Sequence, residues 1–289
     1  MCVGKKEKIN VLSLFDGISC GRLALDRAGI SVGNYYASEI DNYATIISEK
    51  NYPDIIRLGD VTKWKEWNID WSSIDLIIGG SPCQSFSRAG NNKGFEGKSG
   101  LFYDFIDILN IVLEKNPKAY FLLENVVMKK EWRQIITDII GVEPIMIDSA
   151  LVSAQRRNRL YWTNIPNITL PEDKHIYFKD ILENGTFREI PKCMYSNYGN
   201  RARIKRLNYV KNDKSNTLTT SSTHTIQYLL NDDKSLCRLL TPAEFEVLQT
   251  LPIDYTNNVC KTQRYKAIGN GWTVDVIAHI FSSLKGKMH

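Results

Sequence analysis

The chain has 289 residues, 43% of them hydrophobic, enough for one full core and a smaller satellite domain; its formal charge of +5 permits a polyanionic partner without demanding one. Six cysteines without C-x-x-C spacing, and only four histidines, argue against a zinc framework or a disulfide scaffold and fit a reduced intracellular setting. No apolar run reaches the length of a membrane span, and Met1 to Asn10 is charged without the apolar stretch of a signal peptide, so the expectation is a soluble, cytoplasmic protein.

Ile9-Asn-Val-Leu-Ser-Leu14 predicts a first strand, and Phe15-Asp-Gly-Ile-Ser-Cys-Gly21 a small-residue turn opening a helix that stops near Gly29. Strand, turn and helix N-terminus make a corner into which free backbone N–H groups point, although a full G-x-G-x-x-G is absent. Tyr35 to Glu39 reads as a second strand ending in an acid, about 20 residues past the turn, where a ribose hydroxyl pair is gripped in such folds. Asp41 competes for that role, and a solvated acid at a strand end is the plainer alternative. A third short strand, Ile55 to Leu58, precedes Gly59-Asp60-Val61, where an acid could accept a hydrogen bond from an adenine amino group.

The fourth strand, Asp75 to Ile78, leads through Gly79-Gly80-Ser81-Pro82 to Cys83. A lone cysteine is most often a packing residue. One set in a Ser-Pro turn beyond the carboxyl end of a strand, before the polar loop Arg88 to Lys98, is poorly placed for packing and reads as a nucleophile beside a lid. Ser99 caps a helix whose Leu101, Phe102, Phe105, Ile106, Leu109, Val112 and Leu113 stripe is core. Ala119 to Val126 is a fifth strand with Glu124 near its end. If strands four and five are sheet neighbours, Cys83 and Glu124 reach one crevice. A helix over 131–140 and a strand from Pro144 to Asp148 follow. Gln155-Arg-Arg-Asn-Arg-Leu-Tyr161-Trp then sets Arg157 and Arg159 two apart, on one face of a strand.

From Asn164 to Leu236 the apolar periodicity fades. Arg201, Arg203, Lys205, Arg206, Lys211 and Lys214 interleave with Tyr195, Tyr198 and Tyr209, and Asn216 to Thr223 is rich in hydroxyls, a mixture suited to phosphate contacts, with a solvated β-rich surface as the alternative. Thr241-Pro-Ala-Glu244 is a capping box opening a helix with Phe245, Leu248 and Leu251. Ile268-Gly-Asn-Gly-Trp272 is expected to open the last helix, Thr273 to Leu284.

Taken together, Gly-Gly-Ser-Pro-Cys83-Gln-Ser-Phe-Ser, Glu124-Asn-Val126 and Gln155-x-Arg157-x-Arg159 resemble the motifs of the cytosine-5 DNA methyltransferases, in the family's order from Ile9 to Leu284. Phe15-Asp-Gly, Glu39, Gly59-Asp60-Val61 and Gly269-Asn270-Gly271 resemble that family's methyl-donor motifs. Ala37-Ser-Glu and Asn270-Gly-Trp272-Thr-Val are similar to the eukaryotic de novo class, whereas the compact length suggests a bacterial or phage enzyme. Departures are Gly97-Lys-Ser-Gly100, where bacterial members commonly carry an arginine, and Gly271-Trp272 in place of a small residue and valine.

The resemblance implies an α/β fold: a Rossmann-like methyltransferase sheet with helices on both faces, plus a small β-rich target recognition domain. It divides the chain into a catalytic domain over 1–165, a recognition domain over 166–262 and a returning C-terminal helix over 263–289. The implied reaction is methyl transfer from S-adenosylmethionine, without a metal, to carbon 5 of a flipped-out cytosine in double-stranded DNA. Carbon 5 is too electron-poor to react until a thiolate adds at carbon 6, the role implied for Cys83, with Glu124, Arg157 and Arg159 holding the base. The donor set implied is Phe15, Asp16, Gly17, Ile18, Ser19, Cys20, Glu39, Ile40, Asp60, Val61, Pro82, Asn270, Gly271 and Trp272. A monomer is expected, with room for a cognate restriction nuclease as a partner. A tRNA cytosine methyltransferase would carry a Cys-Phe-Thr signature, and an amino-group methyltransferase a Pro-Pro-[Tyr/Phe] motif; both are absent. A non-catalytic DNA-binding relative would have lost reactive residues that are present here.

Overall fold

The computed structural model describes residues 8–82, 100–189, 208–209, 213–218, 228–231, 233 and 235–287. Cys83, the loop after it, Ser99 and the basic residues 201–206 and 211 lie outside the described residues. The chain divides into two compact units: Met1–Ile147, Asn158–Leu170 and Val276–His289 form the first, and Asp148–Arg157 with Pro171–Asp275 the second. By packing, the second unit thus takes in 148–157 and 263–275 besides most of the stretch expected to recognise the target.

In the first unit, β1 (Ile9–Leu14), β2 (Val32–Ser38), β3 (Ile56–Gly59), β4 (Leu76–Gly79), β5 (Tyr120–Val126), β6 (Ile145–Asp148) and β7 (Asn158–Thr163) form one seven-stranded sheet in the order β3-β2-β1-β4-β5-β7-β6. Pairings from β3 through β5 are parallel, and β7 runs antiparallel to β5. The strand order reverses between β1 and β4, and ligands of open α/β sheets bind beyond the carboxyl ends of strands at such a switch point. Three helices of this unit are α1 (Cys20–Arg27), α2 (Asn42–Asn51) and α3 (Gly100–Lys115), with α4 (Lys130–Ile140) after β5.

The core follows the sequence pattern. Phe102, Phe105, Ile106, Leu109 and Val112 of α3 are buried in one cluster with Leu14, Ile77, Phe121, Leu123 and Trp162 from the strands. The glycine that ends β4 sits where a side chain would be crowded. A Cβ on Gly79 would sit 3.0 Å from the Leu14 carbonyl oxygen and 3.0 Å from the Phe105 ring, so β1, β4 and α3 close together here.

The second unit holds a four-stranded sheet ordered β8-β11-β10-β9, from β8 (Arg188–Glu189), β9 (Asn208–Tyr209), β10 (Tyr228–Leu230) and β11 (Leu236–Leu239). Helix α5 (Pro242–Leu248) starts at the expected capping box, with the Thr241 hydroxyl and the Glu244 carboxylate each accepting a backbone N–H of the other's residue. The same Glu244 is buried against Arg238 at 2.5 Å, so the cap is also an ion pair. The expected entry into the last helix is corrected. Ile268 to Asn270 end a helix of their own, α6 (Lys261–Asn270), and α7 begins only at Val274 (Val274–Ser282). The sequence reading assigned no element to 261–267, and Ala267, Ile268 and Gly269 are the buried residues of this helix.

Candidate active site

The turn after β1 is built from left-handed backbone. Phe15, Gly17 and Ser19 have φ of 58°, 60° and 60°, conformations that cost a non-glycine residue and persist only where the surroundings hold them. The hold is visible. Asp16 accepts hydrogen bonds from the Tyr35 hydroxyl at 2.8 Å and the Ser19 hydroxyl at 2.5 Å, and the Gly17 N–H donates to Glu39 at 2.8 Å. Burial pushes the Asp16 carboxyl above the usual carboxylate range, against the lowering effect of hydrogen bonds from Ser13, Ser19 and Tyr35. Ile18, Ser19 and Cys20 are buried, while a Cβ added to Gly17 would meet nothing within 4 Å. That opening gives room for a group to lie against the Gly17 backbone.

Glu39 follows directly on β2, and its other oxygen accepts the N–H groups of Ile40 and Asp41, both at 2.8 Å. Asp41, the other acid weighed for this role, caps α2, its carboxylate accepting from Tyr43 and Ala44. Ile40 is 73% exposed, an aliphatic side chain left uncovered beside the Glu39 carboxylate. Asp60 stands at the corresponding end of β3. It caps the turn at Val61 by accepting the N–H and hydroxyl of Thr62, and these bonds hold its carboxyl below the usual range. Val61 is buried in the hydrophobic core cluster.

Strands β4 and β5 are parallel sheet neighbours with Gly79 opposite Leu123, so the Ser81-Pro82 exit and Glu124-Asn125 lie side by side. The Asn125 amide donates to the Ser81 carbonyl and hydroxyl at 3.4 and 3.3 Å, tying the end of β5 to the segment that leads to Cys83. Pro82 next to it is exposed. Antiparallel register sets Val126 opposite Arg159, which leaves Glu124 diagonal to Arg159 on the same face. Their side chains meet as an ion pair, Nε to Oε1 at 2.9 Å, with only 14% and 11% of each exposed.

The expectation that Arg157 and Arg159 share one face of a strand is corrected. β7 begins at Asn158, and Arg157 lies in the second unit. Its buried guanidinium donates to the carbonyls of Leu218, Gly269 and Gly271 at 3.0, 3.2 and 3.1 Å. Such a group clamps backbone. Lys214, expected to meet phosphate, instead donates to the carbonyls of Ala150, Ser153 and Ile176 at 2.7 to 3.0 Å. Asn270 and Gly271 form the exit of α6, and Trp272 follows in the second unit.

The sequence reading did not single out Asn125, which ties β5 to Ser81, or the buried, mutually bonded Gln155, Gln249 and Thr273 of the second unit. Asn125, Gln155 and Thr273 stood inside recognised motifs, which was the available signal; for Gln249 there was none. Among the described residues no group of three or more His, Cys, Asp or Glu side chains is arranged to hold a metal ion. No helix among them is long and apolar enough to cross a membrane.

Comparison with known proteins places this geometry in context. The family model of the C-5 cytosine-specific DNA methylases matches residues 9–167 and 164–286. The orphan methyltransferase M.SPRI of Bacillus phage SPR is 32% identical over 73% of this chain and 54% of its own length, so the chain spans about half of that relative. The type II methyltransferase M1.ScrFI of Lactococcus lactis subsp. cremoris is 30% identical over 94% of this chain and 77% of its own. The solved Dnmt2 methyltransferase of S. pombe shares the fold with a TM-score of 0.75 at 18% identity, over 98% of this chain and 100% of that one. With its α/β sheet, its motif order and a family match over nearly its whole length, the chain belongs to the C-5 cytosine-specific DNA methylases.

Proposed function

We infer that this chain is an enzyme that methylates carbon 5 of cytosine in double-stranded DNA, through a transient bond between the Cys83 sulfur and carbon 6 of a base turned out of the duplex. The observation that carries this reading is the Glu124–Arg159 pair, nearly buried at the end of β5 beside the strand that runs on to Ser81-Pro82-Cys83. Addition of the Cys83 thiolate at carbon 6 drives electron density onto ring nitrogen 3 and makes carbon 5 nucleophilic. Glu124 hydrogen-bonds or protonates that nitrogen, and Arg159 both orients Glu124 and holds the carbonyl at carbon 2. Once carbon 5 carries the methyl group, loss of its proton to a base expels the Cys83 thiolate and restores the ring. Arg157 assists by clamping backbone, since its own donors are already engaged.

The methyl donor of this reading is S-adenosylmethionine, which when bound supplies a methyl group on a positively charged sulfur. The first unit fits it: space stands over Gly17, Glu39 offers a carboxylate for the ribose hydroxyls, Ile40 an apolar face and Asp60 an acceptor for the adenine amino group. Phe15, Asp16, Ile18, Ser19, Cys20, Val61 and Pro82 shape the surroundings, and Asn270, Gly271 and Trp272 join the set by their resemblance to the family's last motif.

The test is a duplex carrying 5-fluorocytosine at a methylated site, because fluorine cannot leave as a proton and the covalent complex accumulates. The complex is expected to survive denaturation and to map to Cys83, and Cys83→Ser is expected to abolish it while donor binding persists. An adduct on Cys20 or Cys193, or near-normal turnover by Cys83→Ser, would overturn the covalent route.

A further inference from the structure

The turn that carries Gly17 is fastened at three points to β2 and the residue after it. The Asp16 N–H donates to the Ser38 carbonyl at 3.0 Å, the Gly17 N–H to the Glu39 carboxylate at 2.8 Å, and the Tyr35 hydroxyl to Asp16 Oδ1 at 2.8 Å. Two of these bonds use the backbone of the turn. The third is a single hydroxyl on a ring that is only 1% exposed. A side chain so enclosed cannot reach a ligand in the open space over Gly17, so Tyr35 acts on that space through Asp16.

The other carboxylate oxygen is held from behind. Asp16 Oδ2 accepts from the Ser19 hydroxyl at 2.5 Å, and Ser19 Oγ lies 2.5 Å from Ser48 Oγ on α2. Arg57 Nη1, on β3, donates to the same Ser48 oxygen at 3.1 Å. A guanidinium only donates and an ionised carboxylate only accepts, so the chain runs one way, from Arg57 through Ser48 and Ser19 to Asp16. Both serines are fully buried, so water cannot stand in for either. The elements behind the turn therefore meet at one carboxylate: β2 through Tyr35, and α2 and β3 through Ser48 and Arg57. Phe15 and Ser19 flank it with φ of 58° and 60°, conformations that persist only where the surroundings over-determine them.

We propose that Tyr35 is a positioning residue for methyl-donor binding, its hydroxyl fixing the Asp16 carboxylate and with it the Phe15–Ser19 turn and the Gly17 backbone. This role rests on the donor reading given above, and every residue in it belongs to the first unit. Tyr35→Phe is the informative change, because it removes one oxygen and keeps the ring that packs in β2 opposite Val11. Ser13 and Ser19 still bond Asp16 in that variant, so the turn loosens rather than unfolds. Gly17 and Glu39 then no longer share one fixed geometry, and donor binding must restore it.

The experiment uses the full chain and S-adenosylmethionine itself. Calorimetry without DNA measures donor affinity, steady-state assays separate KM from kcat, and thermal melts check cooperative folding. Tyr35→Phe is expected to weaken donor binding about 5- to 30-fold, less than the loss of a charged hydrogen bond to the ligand itself, and to raise the donor KM in parallel. kcat at saturating donor and duplex affinity are expected to stay within about threefold of wild type. Thr137→Val is the control for a merely structural loss. It deletes the acceptor of the Trp162 indole N–H at 3.1 Å, on β7, well along the sheet from β2, and is expected to lower the melting temperature with donor affinity unchanged. Ser48→Ala, which cuts the chain to Ser19, provides the same test should Tyr35→Phe not fold, with a smaller rise in KM expected. Unchanged donor affinity in a folded variant, an equal loss in Thr137→Val, or equal losses in donor affinity, duplex affinity and kcat, would overturn the proposal. A wild-type chain that binds no donor, or Glu39→Ala with unchanged donor affinity, would instead overturn the donor reading, and this inference with it.

Discussion

Replacing Arg159 with alanine tests the centre of the mechanism, because two roles for the residue predict different losses. In the structure its Nε lies 2.9 Å from Glu124 Oε1, and its Nη1 donates to the Asn158 carbonyl at 2.8 Å. Truncation takes the Arg159 guanidinium away from a Glu124 side chain that is only 11% exposed. Breaking a fully buried pair costs about 3–5 kcal/mol, and the residual solvent contact here argues for a loss at the bottom of that range, about 3 kcal/mol of stability. If Arg159 also holds the carbonyl of the flipped base, the transition state loses a charge-assisted hydrogen bond worth about 1.5–3 kcal/mol. At 1.36 kcal/mol per decade, single-turnover methyl transfer then slows roughly 10- to 150-fold. Duplex affinity is expected to change little, since phosphates dominate it. The assay is rapid-quench methyl transfer with labelled donor and enzyme in excess, alongside anisotropy titrations of a labelled duplex. Combining the change with Glu124→Ala in a double-mutant cycle isolates the pair, and the effects are expected to be far from additive. A single-turnover rate that holds while DNA binding falls would make Arg159 a phosphate contact and refute the reasoning.

Two further changes test the donor corner. Glu39→Ala removes the acceptor of the Gly17, Ile40 and Asp41 N–H groups, so donor affinity measured by calorimetry is expected to fall roughly 10- to 100-fold; unchanged affinity would move the ribose site elsewhere. Burial raises the Asp16 carboxyl above its ordinary value of 3.8, so its protonated form favours the fold. That contribution is fully present below about pH 3.8 and is lost as pH rises through the raised folded value. Asp16→Asn cannot titrate, so the stability of wild type relative to this variant is expected to increase as pH falls through the raised folded value towards 3.8, read from denaturant unfolding at each pH. A difference that stays flat would remove the desolvated carboxyl from the account.

The chemistry of this protein was legible in its sequence where it depends on residue type and local order. Apolar runs closed by small residues located β1 to β6 to within a few residues, because strand edges are set by local pattern and turn chemistry. The capping box at Thr241 and the acids after β2 and β3 were readable for the same reason. Cys83 was singled out by its turn alone, and its role rests on sequence reasoning throughout.

What no local pattern could decide was where each charged side chain spends its hydrogen bonds. Arg157 and Arg159 are alike in sequence, two apart in one motif, yet one clamps the carbonyls of Leu218, Gly269 and Gly271 while the other pairs with Glu124. The break between them follows from the start of β7 at Asn158, which antiparallel pairing with β5 sets and sequence periodicity does not reveal. Lys214 belonged to a basic run by composition but is consumed by three carbonyls from distant parts of the chain. Gln249 and Thr273 looked like ordinary helix-end residues until α6 and α7 were folded around them. Sequence by itself therefore determined which chemical groups are present and which strand ends carry them. Only the tertiary structure decided which of those groups remain available, because a buried polar atom bonds to whatever the fold brings within 3 Å, whatever its distance along the chain.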